Sequence, residues 1–192
     1  GRKPGLSRTR ELLKRVGDPH QKLKYVHITG TNGKGSTAAM VASVLAQAGL
    51  TVGLYTSPHL WSFHERFQVN GVPISDDALG RIAERVIQAG RGMEDPATEF
   101  ELMTAVGMLY FLEAGCDLVV LEVGLGGRMD STNVIPAPEV AVITNIGLEH
   151  TRELGDTLAQ IATEKSGILK PGCDAVLYHQ SGEVEKVVSD AC

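Results

Sequence analysis

Five short stretches, 25–28, 51–55, 118–121, 140–143 and 175–177, are apolar runs without alternation of apolar and polar positions. Runs of that kind are expected of strands covered on both faces, so they predict a parallel sheet. Between them the spacing becomes helical. Residues 38–48 form one such segment, stopped by Gly49; Leu79, Ile82, Ala83, Val86 and Ile87 mark a second; and 99–114, stopped by Gly115, a third. Thr157 and Gln160 fit a capping box ahead of a fourth, whose apolar face is Leu158, Ile161, Ala162, Ile168 and Leu169. The residues after the fifth strand read as another helix. One interruption, 67–74, carries Asn70-Gly71 between apolar runs and predicts a small inserted hairpin. Alternating strands and helices predict an α/β fold, a mainly parallel sheet flanked by helices, with ligand sites beyond the carboxyl ends of the strands.

Composition narrows the function classes. The chain has 192 residues, enough for one domain with its own core. Its 18 basic and 23 acidic residues are interspersed and give a net charge of −5, so no basic field is available for nucleic acid or an anionic membrane surface. The longest apolar stretch, 38–50, holds Ser43 and Gln47 and is too short to span a bilayer. No signal peptide is visible. Cys116, Cys173 and Cys192 are odd in number and widely spaced, which fits a reducing compartment and a cytoplasmic location. The 22 glycines are more than usual and imply sharp turns or close approach of backbone to a ligand.

The chemistry concentrates in four places. Residues 28–37, Ile-Thr-Gly-Thr-Asn-Gly-Lys-Gly-Ser-Thr, lie directly after a predicted strand and before a helix, which is the setting of a phosphate loop. Backbone amides of Gly30, Thr31, Asn32, Gly33, Gly35, Ser36 and Thr37 would converge on phosphate oxygens at the helix N-terminus, with Lys34 reaching the β and γ phosphates. The loop departs from the general form because Gly35 follows the lysine. Ser36 is then one position late as a magnesium ligand, and Ser57, at the end of the second strand, competes with it. Glu122 ends an apolar strand, where a carboxylate is costly to bury unless a metal or donors pair it; magnesium is its natural partner. His150 follows another central strand and could join Glu122 at a metal. Lys165 falls on the apolar face of the fourth helix, seven residues after Leu158; it either snorkels, finds an acidic partner, or carries an uncharged amine that reacts with CO2 to give a carbamate.

Taken together these segments resemble the folylpolyglutamate synthase and dihydrofolate synthase family of the Mur ligase superfamily. The resemblance rests on the loop 30–36, on Ser57-Pro-His-Leu (57–60), on Glu-Val-Gly-Leu-Gly-Gly-Arg (122–128) with Asp130-Ser-Thr-Asn133, on Thr-Asn-Ile-Gly (144–147) with His150, and on Glu-Lys-Ser-Gly-Ile (164–168). It covers about residues 6–171, and Gly35 is what this family carries where other Mur ligases usually have Thr. The resemblance implies a P-loop NTPase-like Mur ligase central domain that performs ATP-dependent ligation: a folate or dihydropteroate carboxylate becomes an acyl phosphate, and the amine of L-glutamate displaces phosphate. It implies two Mg2+ ions, one held by Ser36 or Ser57 with Glu122, the other by Glu122, His150 and a carbamylated Lys165. It also implies that His59, Arg128, Asp130 and Asn133 face substrate, and that 57–61 and 98–101 border a folate pocket. Members carry a second, glutamate-binding C-terminal domain, so 1–192 is expected to be the ATP-binding domain of a longer enzyme. A different class of protein, a P-loop module that binds or hydrolyses nucleotide to switch conformation, would have no need of Glu122, His150 and Lys165 together.

Overall fold

The computed structural model describes residues 5–180 and 182–192. Seven strands form one sheet: β1 (Tyr25–Thr29), β2 (Val52–Tyr55), β3 (Phe67–Val69), β4 (Val72–Pro73), β5 (Leu118–Glu122), β6 (Val140–Ile143) and β7 (Asp174–Leu177), in the order β4-β3-β2-β5-β1-β6-β7. β2, β5, β1, β6 and β7 run parallel, and β3 and β4 extend the β2 edge in antiparallel register. All five predicted strands and the hairpin are present. The hairpin turns at Asn70 and Gly71, both with positive φ (49° and 78°), the conformation that Asn-Gly supplies at little cost.

Helices α1 (Ser7–Arg15), α2 (Lys34–Gln47), α3 (Asp76–Gly90), α4 (Glu99–Glu113), α5 (Thr151–Leu154), α6 (Leu158–Ser166) and α7 (Gly182–Asp190) cover the sheet. On one face Ala38 and Ala42 of α2 pack on Val26, Ile28, Val52, Leu54 and Val120. On the other, α1, α3 and α4 bury Tyr25, Tyr55, Phe67, Val119 and Leu121. α6 and α7 enclose Ile143 and Ile146 beyond β6. No helix among the described residues is long and apolar enough to cross a membrane.

Two expectations need correction, and one helix was not anticipated. The second-layer helix starts at Lys34 rather than 38, because Gly33 takes a left-handed conformation (φ 79°) and lets the end of the glycine loop become the first turn. Residues 175–177 are not covered on both faces: β7 is an edge strand, and Asp174, Ala175 and Val176 are exposed. Residues 7–15 form a helix that the charged look of the segment conceals, since Arg8, Thr9, Leu12 and Leu13 lie on one face and are buried.

Candidate active site

The ends of β5, β1 and β6 are adjacent, so the segments following Thr29, Glu122 and Ile143 meet at one edge of the sheet. The glycine loop is fastened to the segment after β6. Thr31 N donates to Asn145 O (2.7 Å), Asn32 N to Asn145 Oδ1 (2.8 Å), Gly147 N to Thr31 Oγ1 (3.0 Å), and Thr144 Oγ1 to Asn32 O (2.7 Å). Gly30 is required by this contact: its φ is 149°, and a Cβ there would lie 1.6 Å from Thr144 Oγ1. Lys34 curls back, donating from Nζ to Gly30 O (2.8 Å) and Thr31 O (3.0 Å). Those carbonyls hold the ammonium against its own loop.

Glu122, 4% exposed, ends β5 beside the loop. Its Oε2 accepts from Ser57 N (2.9 Å), so the link between these two runs through the serine backbone. Burial pushes the Glu122 carboxyl above its ordinary range, and the Ser57 amide and the Lys34 charge oppose that rise. A Cβ on Gly35 would sit 3.5 Å from Glu122 Oε1, which places the first turn of α2 directly against the carboxylate. Ser36, next to it, is exposed.

Lys165 does not snorkel. It is 1% exposed, and its Nζ donates to Gly30 O (2.8 Å) and to Glu149 Oε1 (2.7 Å). Burial lowers its pKa while the Glu149 partner raises it, with a net fall. Burial likewise pushes the Glu149 carboxyl up, and Lys165 outweighs this and holds it below the usual range. Glu149 is the acidic partner that the helical pattern allowed for without identifying. Its place next to His150, in a segment that returns to the glycine loop, was the available signal.

A cavity of about 750 Å³ opens next to Ser57, the residue bonded to Glu122, with Pro58, Phe100, Met103, Met129 and Asp130 also in its wall. Its lining is part apolar and part polar. Asp130 is 3% exposed; Oδ1 accepts from Thr132 N (3.0 Å) and Thr132 Oγ1 (2.6 Å), and Oδ2 from Leu125 N (3.0 Å). Those bonds fix the turn that shapes the cavity floor. Thr98 and Glu101 lie in the opposite wall.

The profile of the Mur ligase middle domain matches residues 28–179. The chain belongs to the Mur ligase family. This Mur ligase chain is 45% identical over 193 residues to the dihydrofolate synthase/folylpolyglutamate synthase of Bacillus subtilis, a match covering 98% of the chain and 45% of that relative. Among solved structures it resembles Mycobacterium tuberculosis folylpolyglutamate synthase complexed with ADP and AMPPCP (TM-score 0.90, 37% identity, 98% of this chain and 45% of that one). It also resembles Escherichia coli FolC in complex with DHPP and ADP (TM-score 0.90, 35% identity, 98% and 45%). The chain spans about half the length of the relatives it matches.

Within this Mur ligase domain the glycine loop, Lys34, Glu122, Ser57 and Lys165 are brought together, and Ser57 alone of them shares the cavity wall with Asp130. Other candidates stand apart. His150 is exposed at the start of α5, with a left-handed backbone (φ 44°). Among the described residues no group of three or more His, Cys, Asp and Glu is placed to hold a metal. His59 is exposed and its Nδ1 accepts from Arg66 Nε (3.0 Å). Arg128 pairs with Glu164 at the rim of a second cavity of about 620 Å³. Asn133 is committed internally: its Nδ2 donates to Arg128 O (3.1 Å) and Gly167 O (2.8 Å), tying the 122–133 segment to the end of α6.

Proposed function

We propose that this chain is the nucleotide-binding part of an enzyme that joins L-glutamate to a folate or dihydropteroate carboxylate at the expense of ATP. The observation that carries the reading is the meeting of a glycine loop, a buried carboxylate and a buried lysine at one edge of the sheet, with Ser57, bonded to that carboxylate, in the wall of a cavity large enough for an aromatic acceptor. The relative from Bacillus subtilis bears the name of both activities, and the solved neighbours hold adenine nucleotides.

The residues suit the roles. Amides of 30–37 at the N-terminus of α2 would receive the triphosphate, and Lys34 would leave the Gly30 and Thr31 carbonyls for the β and γ phosphates. Glu122, with one oxygen on Ser57 N, has the hard anionic oxygen that Mg2+ prefers, and the glycine at 35 leaves room next to it. Ser36 or Ser57 would complete that set. Mg2+, when bound, neutralises charge on the transferring phosphoryl group. The acceptor carboxylate oxygen takes the γ-phosphoryl group and ADP leaves; the glutamate amine then attacks the acyl carbon, loses a proton, and inorganic phosphate departs. Asp130 and the 57–61 and 98–101 segments would orient the acceptor, whereas His59, Arg128 and Asn133 lie outside its cavity.

A carbamate on Lys165 belongs to the same proposal, under a condition set by Glu149. Carbamylation replaces a cation by an anion 2.7 Å from a carboxylate, so it requires a cation between the two. His150, next to Glu149 in the chain, would be the imidazole ligand of that second Mg2+ ion. In 13C NMR with labelled bicarbonate, a carbamate signal lost in Lys165→Arg should appear with Mg2+ and nucleotide and be absent without them. A signal indifferent to Mg2+ would sink this part. The rest of the longer protein would supply the glutamate-binding groups, and the widely spaced cysteines suit a cytoplasmic location.

The deciding experiment uses the full-length enzyme with ATP, Mg2+, dihydropteroate or tetrahydrofolate, and radiolabelled L-glutamate. Label is expected in the folate product. ATP hydrolysis without transfer of label would instead make the protein a nucleotide-driven switch.

A further inference from the structure

We propose that Arg8, in α1, is a positioning residue that fixes one wall of the acceptor cavity and neutralises the Glu101 carboxylate in it. The assignment rests on the reading of that cavity given above. α1 lies before the matched region, which begins at residue 28, and nothing in the sequence patterns gave it a role. Yet it reaches the cavity: Gly5, just ahead of α1, is part of the lining, and Arg8 is 6% exposed behind the facing wall.

The guanidinium forks over Glu101. Nε lies 3.1 Å from both Oε1 and Oε2, and Nη2 lies 3.0 Å from Oε1, while Nη1 donates to Asp95 Oδ2 (2.9 Å). Glu101 is itself 4% exposed and caps α4: its Oε2 accepts from Thr98 N (2.7 Å), and Glu101 N donates to Thr98 Oγ1 (3.4 Å). One side chain thus holds both ends of the segment 95–101, and residues 96–101 are all in the cavity wall. Docking of α1 does not need this arrangement, because Leu12 and Leu13 are fully buried in the core that α1 shares with α3 and α4. A buried ion pair is a poor substitute for apolar contact as a source of stability, whereas a planar fork defines geometry. There is a charge consequence as well. Glu101 unpaired would put a negative charge in the wall facing an acceptor that itself carries a carboxylate.

The test is steady-state kinetics on the full-length enzyme, with melting curves alongside. Arg8→Met should raise the KM for the folate acceptor about tenfold or more, with kcat and the KM for ATP changed by less than about twofold. Arg8→Lys restores the charge without the fork and should recover part of the loss. Arg8→Met combined with Glu101→Gln removes the unpaired charge, so it should regain melting temperature over Arg8→Met while its acceptor KM stays above wild type. An unchanged acceptor KM in Arg8→Met overturns the assignment. So does a loss shared equally by kcat and both KM values, or an acceptor KM that returns to wild type in the double variant. If the wild-type enzyme transfers no glutamate, the reading of the cavity falls, and the role of Arg8 with it.

Discussion

The loop after β1 and the loop after β2 leave the same end of the sheet, yet one is tied to two other segments and the other mostly to itself. Residues 30–34 bond to 144–147, abut Thr144 so closely that only glycine fits at 30, and receive the buried Lys165 ammonium on the Gly30 carbonyl. Residues 58–62 project outward, with Leu60 86% and Trp61 93% exposed. What orders them is a single carboxylate: Glu65 accepts from the amides of Leu60 (2.9 Å), Trp61 (3.1 Å) and Ser62 (2.9 Å), and these bonds hold its carboxyl below the ordinary range. The loop proposed to present its amides to phosphate is braced by non-local contacts. One that borders an open cavity carries its own local brace and leaves two large apolar side chains in water.

The sharpest separation of the two loops is in activity. Lys34→Ala should lower ATP turnover of the full-length enzyme by two to three orders of magnitude or more, because it removes the one side-chain cation of the phosphate loop, while the melting temperature stays near wild type. Lys34 faces the loop's own carbonyls and no core cluster includes it. Wild-type turnover in this variant would refute the phosphate-loop assignment.

Gly30→Ala should separate them in stability. A Cβ would overlap Thr144 Oγ1 and meet Thr144 Cβ at 2.8 Å, on a backbone that side chains rarely adopt. The expected loss is about 3 kcal/mol or more in urea denaturation. A loss below about 1 kcal/mol would mean that the two segments are less tightly joined than described.

These features were unequally legible in the sequence. Buried runs such as 118–121 and the Asn70-Gly71 turn are local signals, and the elements they predict formed. The glycine loop, Glu122 and Lys165 were found because each sits at a recognisable place, a strand end or a helix face. Glu149 and Arg8 were not. Their partners lie 16 and 93 residues away, and no short-range period reports such a pairing. The exposure of β7 escaped for a related reason, since an apolar run says nothing about which strand will stand at the edge of the sheet.

A third contrast is in pH. His27, beneath the braced loop on β1, is fully buried, and burial, with the Lys170 charge adding to it, lowers its pKa to about 3. Thr132 Oγ1 donates to Asp130, so it accepts from His27 Nε2 (2.9 Å), which leaves Nδ1 unprotonated and without a partner. An unfolded histidine takes up its proton near pH 6.5, the folded one only near pH 3. The unfolded state therefore binds more protons in that window, and stability present above about pH 6.5 is lost as pH falls, by about 1.4 kcal/mol per unit. Urea denaturation at a series of pH values should show His27→Gln with a shallower acid slope than wild type by about that amount. Equal slopes would mean that His27 is already charged in the fold.

The smallest effect belongs to the exposed loop. Trp61 has 93% of its surface in water, its amide is anchored by Glu65 whatever the side chain, and it is absent from every core cluster. Removing the indole therefore exposes no core and strands no buried donor, and Trp61→Ala should alter unfolding free energy by less than about 0.5 kcal/mol. A tryptophan left in water, on a loop whose Ser57 and Pro58 end lines the cavity, has surface to bury only when something covers it. The same variant should accordingly raise the acceptor KM while leaving the KM for ATP near wild type. Thermal denaturation and acceptor kinetics on one preparation decide the matter: a large fall in stability would mean that the loop packs against the domain in solution, and an unchanged acceptor KM would remove Trp61 from the cavity's function.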